Sequence, residues 1–270
     1  MAPNNQPVDI VVAAVLASAS YSTVCPETVR AVATAELRAS ASTKQAVKRV
    51  KRKLHQIGGA YQSERMPYGA WLAELRAAPH HDALLATCRR IMQAHTSSRE
   101  RLAYLETFYA RTLAPLGPIR HVLDVACGLN PLALPWMGLS PEACYDCVDI
   151  YADQMAFLQT WLGLIGQPGT ATCSDVLLSP PHGSYDVALL LKTVPCLQQL
   201  DSSATERLIA QLDTRYLIVS FPAKSLGGRN IGMIANYQRS FERLLCQVHL
   251  TGDRQIIGDE LVYTIVTGRM

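Results

Sequence analysis

Up to about residue 113, apolar positions recur three and four apart, the spacing of one helix face, and they predict helices over 7–20, 26–39, 43–57, 68–77, 82–94 and 97–113. Start signals agree: Pro26 and Glu27 suit a first turn, and Ser98 stands just before Glu100 and Arg101. Beyond Pro118 the period shortens. β-rich runs at 121–127, 143–150, 171–176, 185–194 and 216–221 alternate with helical stretches, notably 153–165 and 203–212. Val187 to Leu191 is apolar throughout, as expected of a parallel strand covered on both faces. The last two runs, 247–250 and 261–267, have no long helix between them and predict an antiparallel pair. The expected fold is α/β: a doubly wound, Rossmann-like domain over 114–270 with an antiparallel edge, preceded by an all-α N-terminal domain over 1–113.

Composition narrows the class. A chain of 270 residues that is 49% hydrophobic can bury a large core and is too apolar for disorder. The apolar stretch 10–19 is about half the roughly 20 residues of a membrane-spanning helix, so no membrane association is expected. The first Lys or Arg is Arg30, which argues against a secretory leader and for a cytoplasmic location. The eight cysteines are scattered and read as small apolar residues rather than a disulfide framework. Cys144 and Cys147 lack a second pair at zinc spacing and lie within a strand run, so no metal is expected. His80, His81 and His95 read as surface or capping positions, and Cys127 as packing.

Charge is unevenly placed. From Arg30 to Arg65 nine Lys or Arg face two Glu, a net +7, which leaves −4 for the rest of the chain. Within 44–53 six residues are basic and none acidic. On a helix, Val47, Val50, Leu54 and Ile57 form an apolar stripe, while Lys44, Lys48, Lys51 and His55 form a second one widened by Arg49, Arg52 and Lys53. A solvated helix usually carries both signs to gain i,i+4 pairs, so this face suits contact with phosphates, which positions a protein without reading sequence.

The run from His121 to Pro131 is an apolar strand ending in a small-residue turn at Ala126, Cys127 and Gly128. It matches neither the GxGxxG fingerprint nor a phosphate loop, so NAD and ATP are not supported. Acidic residues mark successive strand runs: Asp124 in the first, Asp149 ending the second and Asp175 ending the third. Asp149 follows Asp124 at close to the offset where a carboxylate accepts from ribose hydroxyls, an arrangement that fits S-adenosyl-L-methionine, which has ribose and adenine but no phosphate.

Four segments carry a more specific likeness: Ala126 to Ala133 with Pro135 to Leu139, Leu189 to Leu197, Phe221 to Arg229, and the basic run Val47 to His55. Together with Ser97 to Leu102, they resemble the aminoglycoside-resistance 16S rRNA methyltransferases that modify guanine N7 in the decoding A site, and they do so in order from about residue 20 onward. The resemblance implies an S-adenosylmethionine-dependent methyltransferase domain and a partner in the 16S rRNA of the 30S ribosomal subunit. It implies that Arg101 pairs with the cofactor's methionine carboxylate, that the turn at Ala126 and Gly128 passes beside it, and that Asp149 holds the ribose. Asp175 would hold the adenine amino group, with Lys192 near the reaction centre. For RNA it implies Lys48, Arg49, Lys51, Arg52 and His55 on the helical domain, and Lys224, Arg229 and Met233 in a segment covering the target base. Two departures stand out: Gln198 where some members have Glu, and Ile231 where several have Lys.

Guanine N7 carries an in-plane lone pair and no proton, so methylating it needs alignment rather than a general acid or base. Met233, Tyr237 and Trp136 are candidates for an apolar face against a flipped-out base. Two other readings fit the same fold: a small-molecule methyltransferase, which the +7 segment disfavours, and a non-enzymatic ribosome-binding factor, which would bind no cofactor. The absence of an Asn-Pro-Pro-Tyr clamp argues against adenine-N6 methylation.

Overall fold

The computed structural model describes residues 6–59, 66–201, 203–223 and 233–268. The chain opens with three helices, α1 (Gln6–Leu16), α2 (Pro26–Arg38) and α3 (Thr43–Leu54). Pro26 sits in the first turn of α2, where its missing N–H is not needed, and Ser42 caps α3 by accepting from the Gln45 amide at 3.3 Å. Val11, Val15, Val29, Val32, Ala46, Val50 and Leu54 form a core of their own between these helices. The expected apolar stripe holds: Val50 and Leu54 are buried, Val47 and Ile57 pack against the same core, and Ala46 joins them. The helix then widens into a single π turn, His55–Gly59.

Four more helices follow: α4 (Tyr68–Ala77), α5 (His81–Met92), α6 (Thr96–Arg101) and α7 (Leu105–Thr112). A 3-10 turn at Leu102–Tyr104 breaks the single helix expected over 97–113. The expected domain boundary at 113 does not coincide with a division of the apolar core. Trp71, Leu75, Ile91, Met92 and Phe108 pack in one cluster with Val122, Leu158, Trp161 and Val187, so α4, α5 and α7 cover one face of the sheet. The α1–α3 bundle has a core of its own, and a third cluster, with Leu123, Leu208, Phe241 and Tyr263, packs against the sheet from two later helices.

The sheet comprises β1 (His121–Val125), β2 (Cys144–Asp149), β3 (Ala171–Cys173), β4 (Ser184–Leu191), β5 (Asp213–Pro222), β6 (Gly252–Ile257) and β7 (Glu260–Val266). Their order is β3-β2-β1-β4-β5-β7-β6, with β7 antiparallel to both neighbours and the other pairs parallel. Helices α8 (Ala152–Leu164), α9 (Val194–Leu200), α10 (Ala204–Gln211) and α11 (Met233–Gln247) lie between the strands. The register sets Leu191 beside Ser220 and Pro222 beside Glu260, so the ends of β4 and β5 and the start of β7 meet at one place.

The run expected as a strand at 247–250 is instead the wind-off of α11. His249 takes a left-handed conformation at φ +56°, and the Leu250 amide donates back to Leu245 O at 2.9 Å, a helix-closing pattern usually built on Gly. The outer antiparallel partner of β7 is Gly252–Ile257, a mostly exposed edge strand whose polar sequence carries little alternation. Among the described residues, no helix is long and apolar enough to cross a membrane.

Candidate functional site

The carboxyl ends of the parallel strands open onto a cleft, where doubly wound folds place their ligands. Arg101, Asp124, Ala126, Asp149, Asp175 and Lys192 line it together.

Ala126, Cys127 and Asn130 of the turn after β1 line the cleft, whereas Gly128, expected beside the cofactor, is not among the lining residues and faces the His95 ring instead. Ala126 and Gly128 both have positive φ, +51° and +53°, and Asn130 opens a 3-10 helix, Asn130–Trp136. The Gly128 amide donates to Asp149 Oδ2 at 2.9 Å, and its carbonyl accepts from Gln154 Nε2 at 3.0 Å. A Cβ at Gly128 would come within 2.6 Å of the His95 ring, so both the backbone conformation and the approach of His95 require glycine here. His95 itself lines the cleft, and burial with the nearby Lys192 and Arg101 charges pushes its imidazole down to about 4.

Asp149 accepts from the Ile150 amide as well as from Gly128, which offsets part of the rise in pKa that burial imposes on it. Asp175 lies just past β3, where Oδ1 accepts from the Leu177 amide and Oδ2 from the Thr28 hydroxyl at 2.9 Å. Asp124 accepts from Asn130 Nδ2 at 2.9 Å and Tyr145 OH at 2.6 Å, both on Oδ2. Its Oδ1 is buried without a hydrogen-bond partner among the described residues, and burial raises its pKa to about 7. Asp124 lines the cleft, and an unpartnered acceptor there leaves a place for a donor from a ligand.

Arg101, at the end of α6, is 1% exposed. Its Nε and one terminal nitrogen grip Glu260 at 2.9 and 2.8 Å, the other terminal nitrogen donates to Asn130 Oδ1 at 3.0 Å, and its guanidinium lies 4.4 Å from the Phe108 ring centre. Burial opposes the guanidinium's charge and Glu260 restores it, so the group stays cationic. Lys192, directly after β4, is held at φ +59° with its amide on Ser220 O. Its ammonium lies 2.6 Å from Glu100 and 3.5 Å from Glu260. Glu260 is fully buried and also accepts from Tyr104 OH and Ser220 Oγ. Burial alone would raise its pKa, but Arg101 and Lys192 hold it below the ordinary carboxylate range. Two cations and two carboxylates thus make a locally neutral cluster, and removing one partner of such a buried pair costs about 3–5 kcal/mol.

The N-terminal bundle forms the far wall. Thr28, Ile57 and Gly58 line the cleft, and a Cβ at Gly58 would meet the Tyr151 hydroxyl at 2.3 Å. Backbone bonds tie the bundle to the end of β2: the Cys25 amide to Ile150 O and the Ala152 amide to Thr23 O, each at 2.7 Å. On α3, Lys48 and Arg52 are exposed, as is His55 just beyond it, and Lys44 continues the same face. Lys51 is partly buried, and its carbonyl accepts from Tyr21 OH. Arg49 is half-buried against Glu36, while the Lys53 ammonium donates to Gln199 O on α9. Met233 begins α11 and is partly buried; Lys224, Arg229 and Ile231 lie outside the described residues.

Trp136 stands at the amino end of β1 beside Arg120 and His121, with the Arg89 guanidinium 4.8 Å from its ring, and is therefore remote from this cleft. Tyr237 stacks on Phe221 at 5.2 Å. Cys144 lies near Asp146 and Cys147 is buried; among the described residues no group of His, Cys, Asp or Glu is placed to hold a metal. Sequence reasoning missed Glu260, Thr28 and the cleft position of His95. Glu260 left one trace, an acid at the head of an otherwise apolar strand, whereas Thr28 left none.

Comparison with known proteins gives a consistent result. Residues 17–264 match the family model described as ribosomal RNA methyltransferase (FmrO). A 16S rRNA (guanine(1405)-N(7))-methyltransferase of Micromonospora echinospora is 39% identical over 263 residues, 96% of each chain. One from Frankia casuarinae is 40% identical over 266 residues, 96% of this chain and 94% of the relative. Among solved structures, the 16S rRNA methyltransferase RmtF in complex with S-adenosyl-L-homocysteine aligns with a TM-score of 0.85 at 33% identity, covering 98% of this chain and 99% of its own. The 16S rRNA methylase RmtB aligns at 0.81 and 32%, covering 96% and 98%. The cleft at the strand ends and the basic helix beside it therefore sit on a scaffold these proteins share from end to end, and the chain belongs to the ribosomal RNA methyltransferase (FmrO) family.

Proposed function

We propose that this protein transfers a methyl group from S-adenosyl-L-methionine to N7 of guanine 1405 in the 16S rRNA of the 30S subunit, in the cytoplasm, and so confers resistance to aminoglycosides such as gentamicin and kanamycin. The observation that carries this reading is the junction of cleft and basic helix: the α3 bundle that presents Lys48, Arg52 and His55 to solvent also supplies Thr28, Ile57 and Gly58 to the cleft wall. A small-molecule enzyme has no use for such a face, and a degenerate scaffold has no use for the acceptors at Asp124, Asp149 and Asp175.

The residues present fit the cofactor. Arg101 uses three of its five N–H groups on Glu260 and Asn130, and the others serve a methionine carboxylate. Asp124 Oδ1 offers the acceptor that the methionine ammonium needs. Asp149 has lone pairs beyond those given to Gly128 and Ile150 for ribose hydroxyls, and Asp175 meets the adenine amino group from the position Thr28 fixes. The bound cofactor supplies an electrophilic methyl on a sulfonium. The attacking nitrogen has no proton to lose, so the chain provides no acid or base and acts by alignment, which can contribute roughly 7–11 kcal/mol. The methylated base is cationic. Lys192 can stand near it without penalty because Glu100 and Glu260 neutralise its charge.

For RNA, Lys48, Lys51, Arg52 and His55 supply phosphate contacts, Arg49 a weaker one because it is already paired with Glu36, and Lys224, Arg229 and Met233 belong to the segment over the target base. The division into a helical RNA-docking part, 1–113, and a methyltransferase part, 114–270, is functional rather than one of separate cores, with the α1–α3 bundle as its independent unit.

In cells expressing normal amounts of protein, Asp149→Ala is expected to abolish resistance to gentamicin and kanamycin. Resistance left intact would contradict the cofactor assignment.

A further inference from the structure

Glu260 has more to do than balance charge. It arrives from β7, 159 positions from Arg101, with no exposed surface and four different partners. Its two oxygens hold Arg101 side-on through two parallel hydrogen bonds, a geometry that fixes the plane of a guanidinium as well as its position. Tyr104 OH and Ser220 Oγ in turn fix the carboxylate, one on each oxygen, at 3.2 and 2.7 Å. Ser220 is also joined to Lys192, whose amide donates to its carbonyl, so one carboxylate sets both cations of the cleft relative to the sheet.

We infer that Glu260 is a positioning residue for the methionine end of the cofactor: it fixes the plane of Arg101 so that the remaining N–H groups meet the ligand's carboxylate, and it does so from the antiparallel hairpin rather than from the nucleotide-binding strands. The inference rests on the reading that Arg101 takes that carboxylate. Without Glu260 the guanidinium keeps Asn130, the Phe108 face and the neighbouring Tyr109 hydroxyl, but loses the side-on, two-point grip that fixes its plane. A gain in positive potential would not compensate, because the ligand's amino-acid end is a zwitterion and carries no net charge.

The test compares two ligands on the intact protein by calorimetry: S-adenosylhomocysteine, and 5′-methylthioadenosine, which keeps adenine, ribose and sulfur but lacks the amino-acid end. Glu260→Gln is expected to weaken S-adenosylhomocysteine by about tenfold or more and to leave methylthioadenosine within about twofold. Tyr104→Phe, which removes one support of the carboxylate and disturbs no charge, is expected to show the same selectivity at about threefold, and it carries the test if the first variant does not fold. Equal loss for both ligands would reduce Glu260 to a structural role and overturn the inference, as would no loss for either. Failure of the underlying reading has its own signature: Arg101→Lys would then bind both ligands as the parent does.

Discussion

At Asp124 the protein withholds charge from a carboxyl that a ligand would restore. Burial holds its pKa near 7 against the pull of Tyr145 and Asn130, while Oδ1 waits without a donor. A ligand ammonium beside Oδ1 favours the ionised form. Above pH 7 the carboxylate is already present, whereas below it binding must expel a proton. Affinity for S-adenosylhomocysteine should therefore fall as pH drops through 7, by up to about tenfold per unit, and Asp124→Asn should flatten that slope. Calorimetry between about pH 6 and pH 8 reads this directly, and a flat profile in the parent protein would contradict it. Asp124, Asp149 and Asp175 were legible as strand-end acids because doubly wound folds place their ligands there. Glu260 and Thr28 were not, because their partners Arg101 and Asp175 lie 159 and 147 positions away, and no local pattern encodes such a pairing.

Among the elements, α3 was the most legible, since its apolar positions and its unmixed basic residues are both visible in 12 residues. The structure refines the basic face by withdrawing Arg49 to Glu36 and Lys53 to α9, leaving Lys48, Arg52 and His55 outward. Charge reversal at Lys48 and Arg52 is expected to weaken 30S binding and to flatten its salt dependence by about one unit of slope per lost phosphate contact. Affinity for S-adenosylhomocysteine should not change, because neither side chain lines the cleft. An unchanged salt slope would remove α3 from the RNA interface. The end of the chain was less legible for physical reasons. Ile234, Tyr237, Phe241, Leu244 and Leu245 carry the helical spacing of α11, but the following Val248 and Leu250 imitate strand alternation while closing the helix. The real edge strand β6 is largely exposed and so bears no apolar signature.

For the whole molecule, the proposed RNA-docking face and the proposed cofactor cleft share a wall. The bundle closes over the strand ends through Cys25, Thr23 and Thr28, and its basic helix runs directly into the π turn that supplies Ile57 and Gly58 to the cleft. This is why the sequence could suggest two domains by composition while the structure interlocks them: charge and period divide the chain near 113, but the sheet needs α4, α5 and α7 to cover its face. A protein built this way should act on one base presented to the cleft mouth by a docked ribosomal surface. The most direct measurement incubates it with 30S subunits and labelled S-adenosylmethionine, then maps N7-methylguanine in the 16S rRNA by borohydride and aniline cleavage. A single cut at guanine 1405 is the expected result. Label in the RNA without that cut, or no label at all, would contradict the account.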